Sequence, residues 1–303
     1  MFTILSAREG ADQVSEVESF RFNNVTLDVA GMLALAGSGG GGVGPDGSTV
    51  GDDLLTGTAG DDVLSGDDGD DTIDGLDGND RLLGEGDDDL LRGGDGADIL
   101  NGGPGNDEII GGATSADRSD TIFGGSGNDN IQAGHGNDLV YGQDGNDSIA
   151  GGYGADTLQG QNGDDVITGS AFGDIVFGGA GDDFVNGGFG HDLLNGGDGA
   201  DRFFHVGGTR DQMLGHGSDW VQDYDAAEGD VLVFGGSATA GQFQVNVAHT
   251  ADRATGERSG DDAVQEAFVI YRPTGQILWA LVDGDGQSSI NLTIAGETFD
   301  LLA

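Results

Sequence analysis

Residues 124–132 read GGSGNDNIQ, residues 151–159 read GGYGADTLQ and residues 178–186 read GGAGDDFVN. All three are one nine-residue sentence, G-G-x-G-x-D-x-U-x, in which U is a large apolar residue. Followed in both directions, the frame runs from residue 48 to residue 204. It divides those 157 residues into 17 nonapeptides, with one four-residue insertion inside residues 114–118. Position six is Asp in every copy: Asp53, Asp62, Asp71, Asp80, Asp89, Asp98, Asp107, Asp120, Asp129, Asp138, Asp147, Asp156, Asp165, Asp174, Asp183, Asp192 and Asp201. Position eight is Leu, Ile or Val from Leu55 to Leu194, and Phe at Phe203. A period held this long marks a stacked repeat, in which each unit buries its apolar face only against its neighbours.

Physical chemistry accounts for the spacing. Glycine is needed where φ is positive or where backbones stack closely, so positions one to six predict a tight turn. Positions seven to nine predict a very short strand. Alternation sends position eight inward, so Ile73, Leu82, Ile122 and Ile167 form aliphatic ladders in a thin core. The pattern resembles the calcium-binding repeats of the RTX ("repeats in toxin") family, and the likeness covers about half the chain. The resemblance implies an all-β fold: a parallel β-roll in which two nonapeptides make one turn. It also implies that repeats n and n+2 share one calcium ion and that the protein is exported by type I secretion from a Gram-negative bacterium.

On this reading the seventeen position-six aspartates are metal ligands. Calcium takes six to eight oxygens at about 2.3–2.6 Å, and carboxylates with turn carbonyls supply them. Seventeen copies leave at most 15 gaps between n and n+2. Fewer ions than that are expected, because three copies are irregular: residues 48–56 lack the leading glycines, residues 111–123 carry the insertion, and residues 169–177 have Phe172 at position four.

Composition agrees. The formal charge is −45, and residues 48–204 hold 32 Asp and 2 Glu against 4 Arg, a balance of −30. Stacking such carboxylates is prohibitive without cations. Extracellular calcium modules bind at about 10⁻⁴–10⁻³ M, so the chain is expected to be unfolded in the cytosol and to fold outside. There is no Cys and no Lys. That removes disulfides, thiolate catalysis, Cys-ligated zinc, Schiff bases and the P-loop lysine. A sequence pI near 4.1 excludes nucleic acid as a partner.

The flanks read as follows. Residues 1–36 carry no secretory signal, because Arg8 and Glu9 interrupt the early apolar run. Val14, Val17, Phe20, Phe22 and Val25 alternate with polar residues and predict short strands capping the first turn, like the "VE-x-F-x-F" stretch found before RTX repeats. Residues 29–36 fit either a helix or a strand. The abrupt start at Met1 fits either a short gene product or a longer ancestor that lost its front. Residues 37–47 are a Gly-rich linker or a degenerate first repeat.

Residues 205–303 predict an antiparallel β cap closing the open end of the roll. Residues 205–216 and 251–262 are loops. Residues 218–234 resemble the "D-x-I-x-D-F … D-x-I-x-L" flank of RTX rolls. Residues 231–234 form a strand, Phe243, Val245 and Val247 alternate as another, and residues 272–276 turn a hairpin. Residues 289–294 and 297–302 give a last strand pair. The terminal TFDLLA, residues 298–303, resembles the end of a C-terminal, uncleaved type I secretion signal and also suits a last strand.

No H-E-x-x-H and no G-x-S-x-G appears, and the five His do not cluster at metal-ligand spacing. Asp283-Gly-Asp285-Gly lacks the later Glu of an EF-hand and reads as a turn. Trp220 and Trp279 read as cap core. No apolar run is long enough for a transmembrane helix. Four functions come into question: a secreted calcium-binding structural or interaction module, an export and folding tail of a secreted enzyme or toxin, an enzyme acting through the cap, and a pore-forming toxin. The first is preferred, with the second as alternative, and no catalytic activity is expected.

Overall fold

The computed structural model describes residues 19–22, 25–28, 47–207, 216–248, 265–282 and 284–303. Strands β3 (Leu54–Thr56) to β19 (Arg202–His205) form a parallel β-roll, one strand per nonapeptide. They alternate between two sheets, so each strand pairs with those two places away. β10 (Thr121–Ser126) lies between β8 (Ile99–Pro104) and β12 (Leu139–Asp144), with Ile122 opposite both Leu100 and Val140. A regular turn is therefore 18 residues, and the insertion at 114–118 loops out while the register resumes on either side.

Most roll strands are six residues long and span positions seven to nine and one to three. This corrects the three-residue strand expected from the sequence. Both position eight and position one point inward. Position one is glycine in fifteen of the seventeen copies, Ser48 and Ala133 excepted, and glycine's hydropathy gives no sign of an inward face, so the sequence shows only half of the strand. The aliphatic ladders are as expected: Ile73, Leu82, Leu91, Leu100, Ile109, Ile122 and Ile131 are all fully buried.

The two sheets do not stop where the repeat frame stops. β20 (Asp219–Val221) adds in parallel to β18 (Leu193–Asp198), and β21 (Val231–Phe234) adds in parallel to β19. β24 (Gln276–Leu281) then stacks on β20, and β25 (Asn291–Ile294) on β21. Only beyond this does the cap turn antiparallel. β22 (Phe243–Ala248), β23 (Glu266–Tyr271) and β24 form one antiparallel edge, while β26 (Glu297–Asp300) closes the other. The last hairpin turns on Ala295 and Gly296, with φ of 51° and 87°, the doubly positive pair of a tight two-residue turn.

The expected antiparallel cap is present, and the aliphatic core runs into it without a break through Val221, Leu232, Leu278 and Leu292. Phe234, Phe243 and Tyr271 pack with ring centroids 5.2 Å apart and finish the core at the cap end. Trp279 is fully buried there, whereas Trp220 is half-buried and meets Phe268 edge-on.

At the other end β1 (Ser19–Phe22) and β2 (Val25–Asp28) pair antiparallel with each other. Among the described residues they share no ladder with β3 or β4 (Val63–Asp68). The expectations for residues 29–36, the linker before Gly47 and the loop at 251–262 fall outside the described residues, while Gly284–Gly286 form a single 3-10 turn, as expected of that stretch.

Candidate metal centre

Each position-six aspartate stands where a turn re-enters a sheet, and its side chain points into the roll. From Asp71 to Asp201 these residues are at most 3% exposed. Their two carboxylate oxygens do different things. Oδ1 accepts the backbone N–H of the position-six Asp one turn earlier. Asp107 donates to Asp129 at 2.9 Å, Asp129 to Asp147 at 2.9 Å, and Asp183 to Asp201 at 2.9 Å. The same bond repeats along both columns from Asp71, which accepts from Asp53 at 2.7 Å. Oδ2 is buried with no hydrogen-bond partner in all fifteen aspartates from Asp71 to Asp201. A buried, unpaired carboxylate oxygen costs several kcal/mol unless something positive meets it, and here it recurs at every turn.

Asp53 and Asp62 stand apart from the other predicted ligands. Their Oδ2 atoms accept the backbone N–H of Thr49 at 2.5 Å and of Thr58 at 2.6 Å. The first two registers are thus satisfied by the protein itself.

The space beside fourteen of the fifteen orphaned oxygens is kept by a position-one glycine; beside Asp138 the residue is the buried Ala133. A Cβ built at Gly151 would lie 2.5 Å from Oδ2 of Asp156 and 2.9 Å from the carbonyl oxygen of Gly169, one turn on. Gly84, Gly102, Gly124, Gly142, Gly160 and Gly178 show the same pair of neighbours. The cradle is therefore lined by a carboxylate oxygen and a backbone carbonyl from adjacent turns. Among the described residues no three side chains of His, Asp or Glu converge on one point. The donor set is instead one side-chain oxygen with backbone oxygens, all hard ligands, the chemistry calcium selects. The residues fit the ion.

Burial sets the acidity of this ladder. It pushes the Asp71 and Asp80 carboxyls up to about 6 and those of Asp89, Asp129, Asp138, Asp165 and Asp174 up to about 7. The charge of a neighbouring aspartate adds to the effect in each. Asp120 reaches about 9, through burial first and then the charges of Asp117, Asp98 and Asp138. Asp117 comes from the four-residue insertion and is itself buried. Nothing in the repeat pattern singles it out.

A family model for RTX calcium-binding nonapeptide repeats matches residues 48–82, 83–115, 114–149, 141–176 and 168–203, together just over half of the chain. The chain belongs to the RTX calcium-binding repeat family. No curated protein matches it. The RTX repeats are calcium-binding, and the cradles described above are where this chain's own oxygens gather.

The RTX ladder reaches further than the family match. Asp230 accepts the N–H of Asp201 at 2.9 Å, and Asp219 lies under the N–H of Asp192 at 3.4 Å. Both occupy the position-six place of the next turn and both are buried. Asp223 accepts from the N–H groups of Gly196 and Gly197, at 3.0 and 2.7 Å. Sequence reasoning missed these three. A signal existed for all three, which are the motif aspartates of the flank read at residues 218–234, and Asp219 also resumes the nine-residue frame after one missed register.

The acidity has a direct consequence in the absence of metal. An unfolded Asp titrates near 3.8, while most of the ladder titrates at about 6 to 7 in the folded chain. The folded chain thus holds more protons than the unfolded one between these values. The stability this contributes is complete below about pH 4 and is lost as pH rises through 6 to 7. In EDTA, far-UV circular dichroism should show more β-structure at pH 5 than at pH 8. A signal that is flat, or that grows with pH, would contradict the buried ladder.

Proposed function

We propose that this RTX protein is a structural or interaction module that works outside the cell, is exported unfolded by a type I secretion system, and folds on meeting extracellular calcium. The observation that carries the reading is the column of fifteen buried, unpartnered carboxylate oxygens. Bound calcium neutralises such oxygens, and extracellular concentrations suit sites of about 10⁻⁴–10⁻³ M. In the cytosol, where calcium is scarce, the same column opposes folding. An export channel requires an unfolded chain, and this column supplies one.

Asp71 to Asp201 hold the ions on this reading, the position-one glycines keep the cradles open, and the aliphatic eighth positions provide the core. No step of catalysis is assigned to any residue. The last residues support export through the C-terminus: β26 is the outermost strand of its sheet, and Leu302 and Ala303 are exposed. Among the described residues no helix is long and apolar enough to cross a membrane.

Export is tested by co-expressing the chain with a type I exporter and comparing it with a version lacking roughly the last 60 residues. The full chain should reach the medium and the shortened one should stay inside. Equal export of the two would defeat the proposal.

A further inference from the structure

Over the last four turns before the cap the two edges of the roll differ in charge. Residues 134–137, 152–155, 170–173 and 188–191 form four successive turns of one edge, and read GHGN, GYGA, SAFG and GFGH. None of these sixteen residues is Asp, Glu or Arg, in a chain whose net charge is −45. Over the same span the opposite edge, residues 143–146, 161–164, 179–182 and 197–200, carries Asp144, Asp164, Asp182 and Asp198.

The uncharged edge is also aromatic and exposed. Tyr153, Phe172 and Phe189 are 59%, 63% and 51% exposed. His135 stacks on Tyr153 with ring centroids 4.6 Å apart. Phe172 takes position four, where the repeat has glycine, and holds φ at 86°. A bulky residue in the left-handed region is strained, so its presence asks for a function.

The edge leads into a groove at the junction of roll and cap. Phe189 packs on His216, at 3.8 Å between centroids, and His216 precedes Gly217 and Ser218 in the groove wall. The groove has a volume of about 460 Å³ and is lined by His191, Ser218, Thr274, Gln276 and Ile277 with two glycines. Its wall carries no Asp, Glu or Arg, only neutral hydrogen-bonding groups beside an apolar one.

We propose that the edge bearing Tyr153, Phe172 and Phe189, with the groove at His191, Ser218 and Gln276, binds a neutral polysaccharide. The inference rests on the reading of this chain as an interaction module and names its partner class. Charge decides the partner. An acidic polymer is repelled by the chain as a whole, which stays negative even with fifteen calcium ions bound, a basic one is drawn to the acidic edge instead, and a second copy brings the same negative sign. Exposed rings bearing on the apolar faces of sugars, with neutral donors and acceptors for their hydroxyls, match an uncharged glycan. Tyr153 and Phe189 lie two turns apart, about 9.6 Å at the strand spacing, which matches a ligand that is itself a repeating chain.

Affinity electrophoresis in calcium tests this, with laminarin, xyloglucan or hydroxyethyl cellulose in the gel and alginate as the acidic control. At least one neutral polymer should retard the protein and alginate should not. Phe172→Gly restores the repeat glycine, so it should keep the calcium-induced circular dichroism change while weakening retardation about tenfold. Retardation by no neutral polymer, equal retardation of Phe172→Gly, or equal retardation by alginate would each overturn the inference and leave the module reading standing. Self-association lost in Phe172→Gly would assign the edge to a second copy and also overturn it. Absence of any calcium-induced folding would overturn both.

Discussion

Moving the protein from millimolar calcium to EDTA at neutral pH should convert its far-UV circular dichroism spectrum from β-structure to coil. The reason lies in the inventory of the core. Fifteen carboxylate oxygens from Asp71 to Asp201 are out of water with no donor facing them. Each raises the free energy of the calcium-free roll, and the repeat region's balance of −30 adds repulsion along its length. At ten times its Kd, one site contributes about 1.4 kcal/mol of folded-state stability. Fifteen additive sites contribute about 20 kcal/mol, more than the about 5–15 kcal/mol by which domains are ordinarily stable. Removing that term leaves the aliphatic ladders alone, and they form a core only one side chain deep on each sheet. Magnesium should not restore the signal, because it demands near-octahedral geometry at about 2.0–2.1 Å and keeps its waters. A β-rich spectrum in EDTA at neutral pH would mean that the roll stands without metal.

Gly151→Ala should lower stability and raise the calcium concentration needed to fold, although one native copy, at Ala133 beside Asp138, accommodates a methyl at this position. Gly151 is not in the left-handed region, unlike Gly152 with φ of 104°, so alanine suits its backbone and the change tests space alone. The added methyl would meet Oδ2 of Asp156 and the Gly169 carbonyl, the two oxygens that line the cradle. Overpacking of this kind costs about 1–3 kcal/mol, and blocking the cradle removes the contribution of its ion as well. Ser148→Ala, at an exposed position three residues before, should stay within about 0.5 kcal/mol of the parent. Calcium titrations of the three proteins followed by circular dichroism would decide the matter. A Gly151→Ala midpoint equal to that of Ser148→Ala would remove the cradle from the account.

Much of this was legible from residues alone. An Asp at position six and an aliphatic residue at position eight differ in chemistry from everything around them, so the turn length, both core ladders and the acid columns could be placed in advance. The position-one glycine could not be placed. It faces inward as fully as Ile131 does, yet glycine carries no hydropathy and its role is the volume it leaves empty. The different tasks of Oδ1 and Oδ2 were likewise invisible, because they depend on a partner 18 residues away in a neighbouring turn.

The continuation of both sheets into the cap was hidden for a different reason. Asp219 stays in the nine-residue frame but follows Asp192 by 27 residues instead of 18, with one register skipped, and Asp230 follows Asp201 by 29, out of frame. Asp53 and Asp62 were read as ligands by register. The N–H groups of Thr49 and Thr58 set them apart, and register alone does not report a local backbone donor.

The central claim is that the orphaned oxygens form a stack of calcium sites, and the most direct test is to count the ions. Folded protein, freed of unbound calcium by gel filtration, would be analysed by atomic emission against its protein concentration. The ladder predicts on the order of 15 calcium ions per chain, one for each buried, unpartnered Oδ2. One or two ions in a fully folded chain would contradict it, and would mean that the buried carboxylates are satisfied by protons instead.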